Sequence, residues 1–129
     1  MKPIDPIRIM KGMFLFVQEG GNEVRDLYAF EPYHYGPCSF DLYRDLESLE
    51  AVGLVKREPV PGLGWSYLVP TLKGLEEARR ISDNAPQQLV TAMKDRKSFV
   101  TSLSFLQLLR EVYRRYPTFA TRSIVSFAR

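Results

Sequence analysis

His34 and Cys38 are the only histidine and cysteine of the chain, four residues apart in Tyr33-His34-Tyr35-Gly36-Pro37-Cys38-Ser39. An imidazole beside a thiol is the pairing from which a nucleophilic centre is built, with the ring acting as base for the sulfur. Here the two sit in a Pro/Gly-rich turn, and the favoured reading is a loop histidine near a small half-buried cysteine. Two such side chains also fall short of the four Cys/His ligands of a structural zinc site. A second candidate is the set Asp41, Asp45, Glu47 and Glu50. Acid–base work needs carboxyl groups that converge on one point, whereas helical spacing spreads these around a polar side, as a solvated face. Neither a P-loop nor a G-x-G-x-x-G phosphate cradle occurs. The chain is therefore expected to have no catalytic residues, no metal and no cofactor.

The cations offer a different chemistry, phosphate binding. Residues 1–85 hold 10 Lys/Arg against 13 Asp/Glu, net −3, and residues 86–129 hold 8 against 2, net +6. The basic character thus lies in the C-terminal third, with Arg96, Lys97, Arg110, Arg114, Arg115 and Arg122. Arg110 and Arg114 are one helical turn apart and share a face, with Arg115 beside it, a pattern suited to a salt-sensitive nucleic-acid contact. The alternative is the polar side of an amphipathic helix, or a contact with an acidic helix of another subunit. Lys56 and Arg57 flank a glycine-containing turn compact enough to approach a DNA backbone or minor groove; the bland reading is a solvated hairpin edge.

The elements that would position these groups are marked by caps and stops. Asp5-Pro6 starts a helix, with an acidic N-cap and proline at the first position. Ile7, Met10, Phe14 and Val17, widened by Ile9, Met13 and Phe16, predict that it is buried on most sides before Gly20-Gly21 ends it. Asn22 is expected to cap a shorter helix with Val24, Leu27, Tyr28 and Phe30, stopping at Glu31-Pro32. A turn-rich connector, 32–37, follows. Ser39 caps the next helix, whose stripe is Leu42, Leu46 and Leu49 and whose stop is Gly53. Leu54–Val60 and Trp65–Pro70 are β-prone around Pro61-Gly62-Leu63-Gly64, with Trp65, Tyr67 and Val69 on one face. Thr71 caps a helix with Leu72, Leu75, Ala78 and Ile81. Another helix starts at Asp83-Asn84-Ala85-Pro86 and carries Leu89, Val90 and Met93. Leu103, Leu106, Leu109 (or Leu108), Val112, Tyr113 and Tyr116 mark a long amphipathic helix that Pro117 stops, and residues 118–129 add a short terminal helix.

Helix, glycine stop, hairpin and capped helix in that order form the organisation of a winged-helix domain. The segment Ser39–Val55, with Leu42-Tyr43, Leu46, Leu49-Glu50 and Gly53-Leu54-Val55, then Trp65-Ser66-Tyr67 and Thr71-Leu72-Lys73-Gly74, resembles the DNA-binding half of PadR-type transcriptional regulators. Tyr33–Ser39 and Val112–Pro117 with Ser123-Ile124-Val125 are similar to YwgA-like proteins, and also to the antitoxin-type domain of SocA relatives. The PadR-type resemblance implies that helix 39–52 enters the major groove, presenting Asp41, Arg44, Glu47, Ser48 and Ala51. Arg44 and Ser48 would then read bases or phosphates, while the carboxylates among them oppose such readout.

A chain of 129 residues is expected to be one domain, mainly α with a small β-hairpin. It is a winged helix-turn-helix over 1–82 with a basic helical extension over 83–129. The expected role is a non-catalytic, cytoplasmic transcriptional regulator that binds double-stranded DNA through Arg44, Ser48, Lys56, Arg57, Arg110, Arg114 and Arg115. It would pair as a homodimer through Phe99, Leu103, Leu106 and Tyr113. The rival expectation is a protein–protein interaction module, an antitoxin-like adaptor or a subunit of a defence or regulatory complex. A lone cysteine fits a reducing compartment, and no apolar run is long enough for a membrane span.

Overall fold

A computed structural model describes residues 3–127. Helix α1 (Pro6–Glu19) begins where expected: the Asp5 carboxylate accepts the Arg8 N–H at 2.7 Å, and Pro6 occupies the first turn. Its apolar residues surround it, so that Met10, Phe14, Leu15, Phe16 and Val17 are all buried. The chain leaves it through Gly20 and Gly21, the latter at φ +106°.

The expected helix over 22–30 is absent. A single 3-10 turn spans Asn22–Val24, after which the chain extends into a hairpin of β1 (Glu31–Tyr33) and β2 (Gly36–Cys38). The anticipated stripe never forms a face, since Leu27 is about half exposed while Val24 is buried. Pro32 pairs across the hairpin with Pro37. Opposed residues of an antiparallel pair alternate between bonded and non-bonded sites, and two facing prolines suit a site where neither N–H is needed. Gly36, at φ +92°, lies so close to Tyr113 that a Cβ there would come within 2.8 Å of its ring. That contact seats the hairpin on the C-terminal helices.

Ser39 then caps α2 (Phe40–Ala51), accepting the Leu42 N–H at 3.2 Å. The helix closes with Gly53 at φ +81° and a Leu54 N–H bond to the Leu49 carbonyl, the six-to-one closure of a left-handed stop. Strands β3 (Val55–Pro59) and β4 (Ser66–Pro70) pair antiparallel from Val55↔Pro70 to Pro59↔Ser66, as expected from the sequence. They form a sheet separate from β1–β2. Leu68 is the buried residue of β4 and donates its N–H to the Ile4 carbonyl at 2.9 Å. The inward face of β4 is therefore Leu68's, and Trp65 and Tyr67 pack edge to face on the other, 4.9 Å between centroids. Thr71 caps α3 (Leu72–Asn84) and donates its hydroxyl to the Gly53 carbonyl at 2.6 Å. Gly74 is tight against Leu54, where a Cβ would meet the carbonyl oxygen at 1.9 Å.

The C-terminal third holds the two helices expected there, with Leu103 in the break between them rather than in the second. Helix α4 (Gln87–Ser102) ends before Leu103, and Ser104 opens α5 (Phe105–Arg115) with a reciprocal capping box to Gln107. Tyr116 and Pro117 stop α5, and a 3-10 turn over Pro117–Ala120 stands where a terminal helix was expected; residues 128–129 of that helix lie outside the described residues.

The main core joins α1 to α4 and α5: Phe14, Leu15, Val100, Leu108, Leu109, Val112 and Tyr113. Edge-to-face contacts of Phe14 with Phe30, Tyr116 and Phe119 close it. A smaller cluster of Met10, Cys38 and Leu42 ties α2 to α1. The stripe Leu42, Leu46 and Leu49, the strand face of Trp65 and Tyr67, and Leu75 of the Thr71-capped helix do not close into one core, because Leu49 and Trp65 are each 38% exposed. The apolar residues assigned to a dimer are also largely spent inside the monomer. Tyr113 is buried, Phe99 and Leu103 pack on the main core, and only Leu106 is exposed.

Candidate functional site

The outer side of α2 carries Asp41, Arg44, Asp45, Glu47 and Ser48, all exposed. Arg44 is paired with Asp41 one turn earlier, and the Ser48 hydroxyl donates to the Arg44 carbonyl at 3.0 Å. The Tyr28 hydroxyl donates to Asp45, and burial together with that bond pushes the phenol up to about 12. The helix thus shows solvent a surface dominated by carboxylates, with its one guanidinium already engaged.

On the hairpin, Arg57 Nε donates to Glu50 Oε1 at 2.9 Å, tying β3 to the end of α2. Lys56 is exposed and takes part in no ion pair among the described residues. The tip is apolar rather than basic: Leu63 is 54% exposed and Gly62 turns the chain at φ +77°.

The arginines of α5 are engaged as well. Glu111 accepts from Arg114 Nε at 3.2 Å and from Arg115 Nε at 2.9 Å, and the Arg114 guanidinium foremost holds its carboxyl below the usual range. The Arg110 guanidinium lies over the Phe127 ring at 5.2 Å, a cation–π contact. Arg115 stacks on Phe99 at 4.8 Å and reaches Glu19 at 3.3 Å. The seven expected DNA contacts therefore form two groups on different elements, Arg44, Ser48, Lys56 and Arg57 on α2–β3 and Arg110, Arg114 and Arg115 on α5. Most of their charge is met by carboxylates from the same chain.

Glu19 is the residue that sequence reasoning missed. Its carboxylate accepts from Arg96 and Arg115, both at 3.3 Å, and from the Tyr116 hydroxyl at 2.8 Å, so α1, α4 and the end of α5 meet there. An acid in the last turn of a helix opposes the helix dipole, and that conflict was a legible sign that cations would gather around it. Arg8 plays the matching part at the other end of α1, donating to the Val100 and Leu103 carbonyls at 3.1 and 2.7 Å, where α4 leaves its last carbonyls without helical partners.

His34 and Cys38 do not form a base–nucleophile pair. His34 is exposed and stacked on Tyr33, 4.3 Å between centroids, while Cys38 is buried and burial pushes its thiol up. The buried titratable neighbour of that thiol is Lys11, whose Nζ donates to the Pro37 carbonyl at 3.2 Å and whose pKa burial lowers to about 8. Among the described residues no His/Cys/Asp/Glu group is arranged to hold a metal ion, and no helix is long and apolar enough to cross a membrane. No protein-family model matches the chain, and no curated protein matches it at a significant level.

Proposed function

We propose that this chain is a non-catalytic protein-interaction module, of the adaptor or antitoxin-like kind. The observation that carries the reading is where apolar side chains meet water. Of the twelve large hydrophobic residues exposed among the described residues, seven fall between Phe40 and Ile81: Phe40, Leu49, Val52, Leu63, Trp65, Leu72 and Ile81. Exposed apolar side chains in this number along one stretch of chain support a protein-binding reading, and the acidic outer face of α2 makes the same segment repel a phosphate backbone. A cytoplasmic setting rests on the single buried thiol of Cys38.

A winged-helix regulator of transcription, paired as a homodimer on double-stranded DNA, is the second reading. It is favoured by one specific feature, the order α2, β3, β4, α3 with Lys56 exposed on the hairpin. A gel shift on mixed-sequence duplex at two salt concentrations separates the two. The module reading expects no shift at either. A shift weakened by Lys56→Ala/Arg57→Ala, with the salt slope lowered by about one for each phosphate-binding cation removed, would replace it with the DNA reading.

A further inference from the structure

Two hollows run end to end along one edge of α4. The first, about 180 Å³, lies between α1 and α4 and is lined by Ile4, Ile9, Gly12, Met13, Met93 and Val100, with Arg8 and Lys97 at its rim. The second, about 270 Å³, lies where the end of α3 meets α4, with Phe16, Ile81, Leu89 and Val90 among its lining residues and Lys94 at its rim. Met93 lines both and is 37% exposed, and Ile81 beside it is 54% exposed. Gly12 makes the floor: a Cβ there would stand 3.3 Å from a Val100 methyl, so glycine lets α1 and α4 come together beneath the groove. Leu89 and Val100 are eleven residues apart on α4, which at the rise of an α-helix spans about 16 Å.

The charged side chains that line this groove are all cationic. No acidic side chain lines either hollow. Arg8 is held by Asp5 and by the Val100 and Leu103 carbonyls, whereas Lys94 and Lys97 take part in no ion pair among the described residues. An apolar trough about three turns long with lysines along one rim fits an amphipathic helix laid lengthwise, with its apolar stripe down and carboxylates flanking it. The geometry points to this groove as the docking site for an acidic amphipathic helix of a protein partner, an inference that rests on the module reading and names the partner's chemistry. Apolar burial in the trough supplies affinity, and the lysine rim sets orientation and rejects basic helices.

The test uses the full chain and three labelled peptides of about 16 residues, long enough to cover the groove. One has a leucine stripe flanked by glutamates, one the same stripe flanked by lysines, and one glutamates around an alanine stripe. Anisotropy is expected to show the first bound at least about tenfold more tightly than either other, a difference that tracks charge and stripe separately. Lys94→Glu/Lys97→Glu is expected to invert the preference between the first two, and Met93→Asp to weaken the first about tenfold or more, with helical content by circular dichroism unchanged in both variants. Equal binding of the acidic and basic peptides, or binding indifferent to both variants, would overturn the groove. Hydrogen-exchange protection falling on α2 instead of α1 and α4 would overturn the groove and leave the module reading intact. Self-association that Met93→Asp abolishes, with no peptide bound, would assign the groove to a second copy and overturn the inference. Duplex binding abolished by Lys56→Ala/Arg57→Ala, with no peptide bound, would overturn the module reading itself.

Discussion

The body made by α1, α4 and α5 and the arm made by α2, β3, β4 and α3 are built from equally ordinary elements, yet they bury side chains very differently. In the body, Phe14, Val100, Leu108, Leu109 and Val112 are fully enclosed. In the arm, Leu42 and Leu68 are the buried apolar side chains, and α3 buries only Gly74. The arm is held largely by backbone and capping hydrogen bonds: Thr71 to Gly53, Lys73 Nζ to the Val52 carbonyl at 3.0 Å, and the β3–β4 ladder. A region fixed in shape by hydrogen bonds but left apolar outside is suited to presenting surface, whereas the body is suited to holding it in place.

The sharpest way to break this contrast is to remove a ring from each side. Phe14→Ala deletes the centre of the body's aromatic cluster and is expected to cost about 3–5 kcal/mol. Trp65→Ala removes a larger side chain whose ring is partly in water and packs on Tyr67, and should cost about 1 kcal/mol or less. Urea denaturation of both variants checks this, and equal losses would mean that the arm carries a core of its own.

That contrast also explains what was legible in the sequence. Signals confined to a few neighbouring residues came through: the Asp5, Ser39 and Thr71 caps, the Gly53 stop and the β3–β4 pairing all stand where their residue types require. Burial did not come through, because the stripe Leu42, Leu46 and Leu49 has the same period whether or not another element covers it. Here the cluster on α1 takes in Leu42 and partly Leu46 but leaves Leu49 exposed. The β1–β2 hairpin was hidden for a related reason, since its prolines weaken every strand signal and its seat is Tyr113, far along the chain. For the site, the residue types were visible but not their partners. Arg44, Arg57, Arg114 and Arg115 look like phosphate ligands until Asp41, Glu50, Glu111 and Glu19 are placed beside them.

The seam between body and arm gives a middle-sized effect with a pH signature. Lys11 is buried in α1 next to the cluster of Met10, Cys38 and Leu42, and its pKa falls from 10.5 to about 8. Between those values the unfolded chain binds more protons than the folded one, so this lysine's contribution to stability rises with pH across that window. Lys11→Met removes the buried charge and is expected to stabilise the chain by about 1–3 kcal/mol at neutral pH. The advantage should shrink as pH climbs through 8 toward 10.5. The difference between variant and wild type is the quantity to follow, because the Cys38 thiol, raised by burial, titrates in the opposite sense nearby. A gain that stays constant across the window would show that the amine reaches water through the seam.

The smallest effect concerns how far the two regions unfold as one. Ser104 opens α5 inside the body and Ser39 opens α2 in the arm, and each accepts a backbone N–H at 3.2 Å. Replacing an N-cap serine by alanine costs about 1 kcal/mol, so Ser104→Ala and Ser39→Ala should look alike in a global melt. Hydrogen exchange should tell them apart, since cooperative units open separately where little buried surface joins them. Loss of the Ser104 cap frays a helix that carries Leu108, Leu109 and Val112, and should lower protection through α1 and α4 as well. Loss of the Ser39 cap should be confined to α2 and its neighbour β3, because Leu42 is that helix's one fully buried apolar side chain, with Tyr43 and Leu46 only partly buried against the same small cluster. Protection lost equally in α4 and α5 on Ser39→Ala would mean that arm and body are a single cooperative unit. The exposed apolar face of the arm would then be as rigid as the core beneath it.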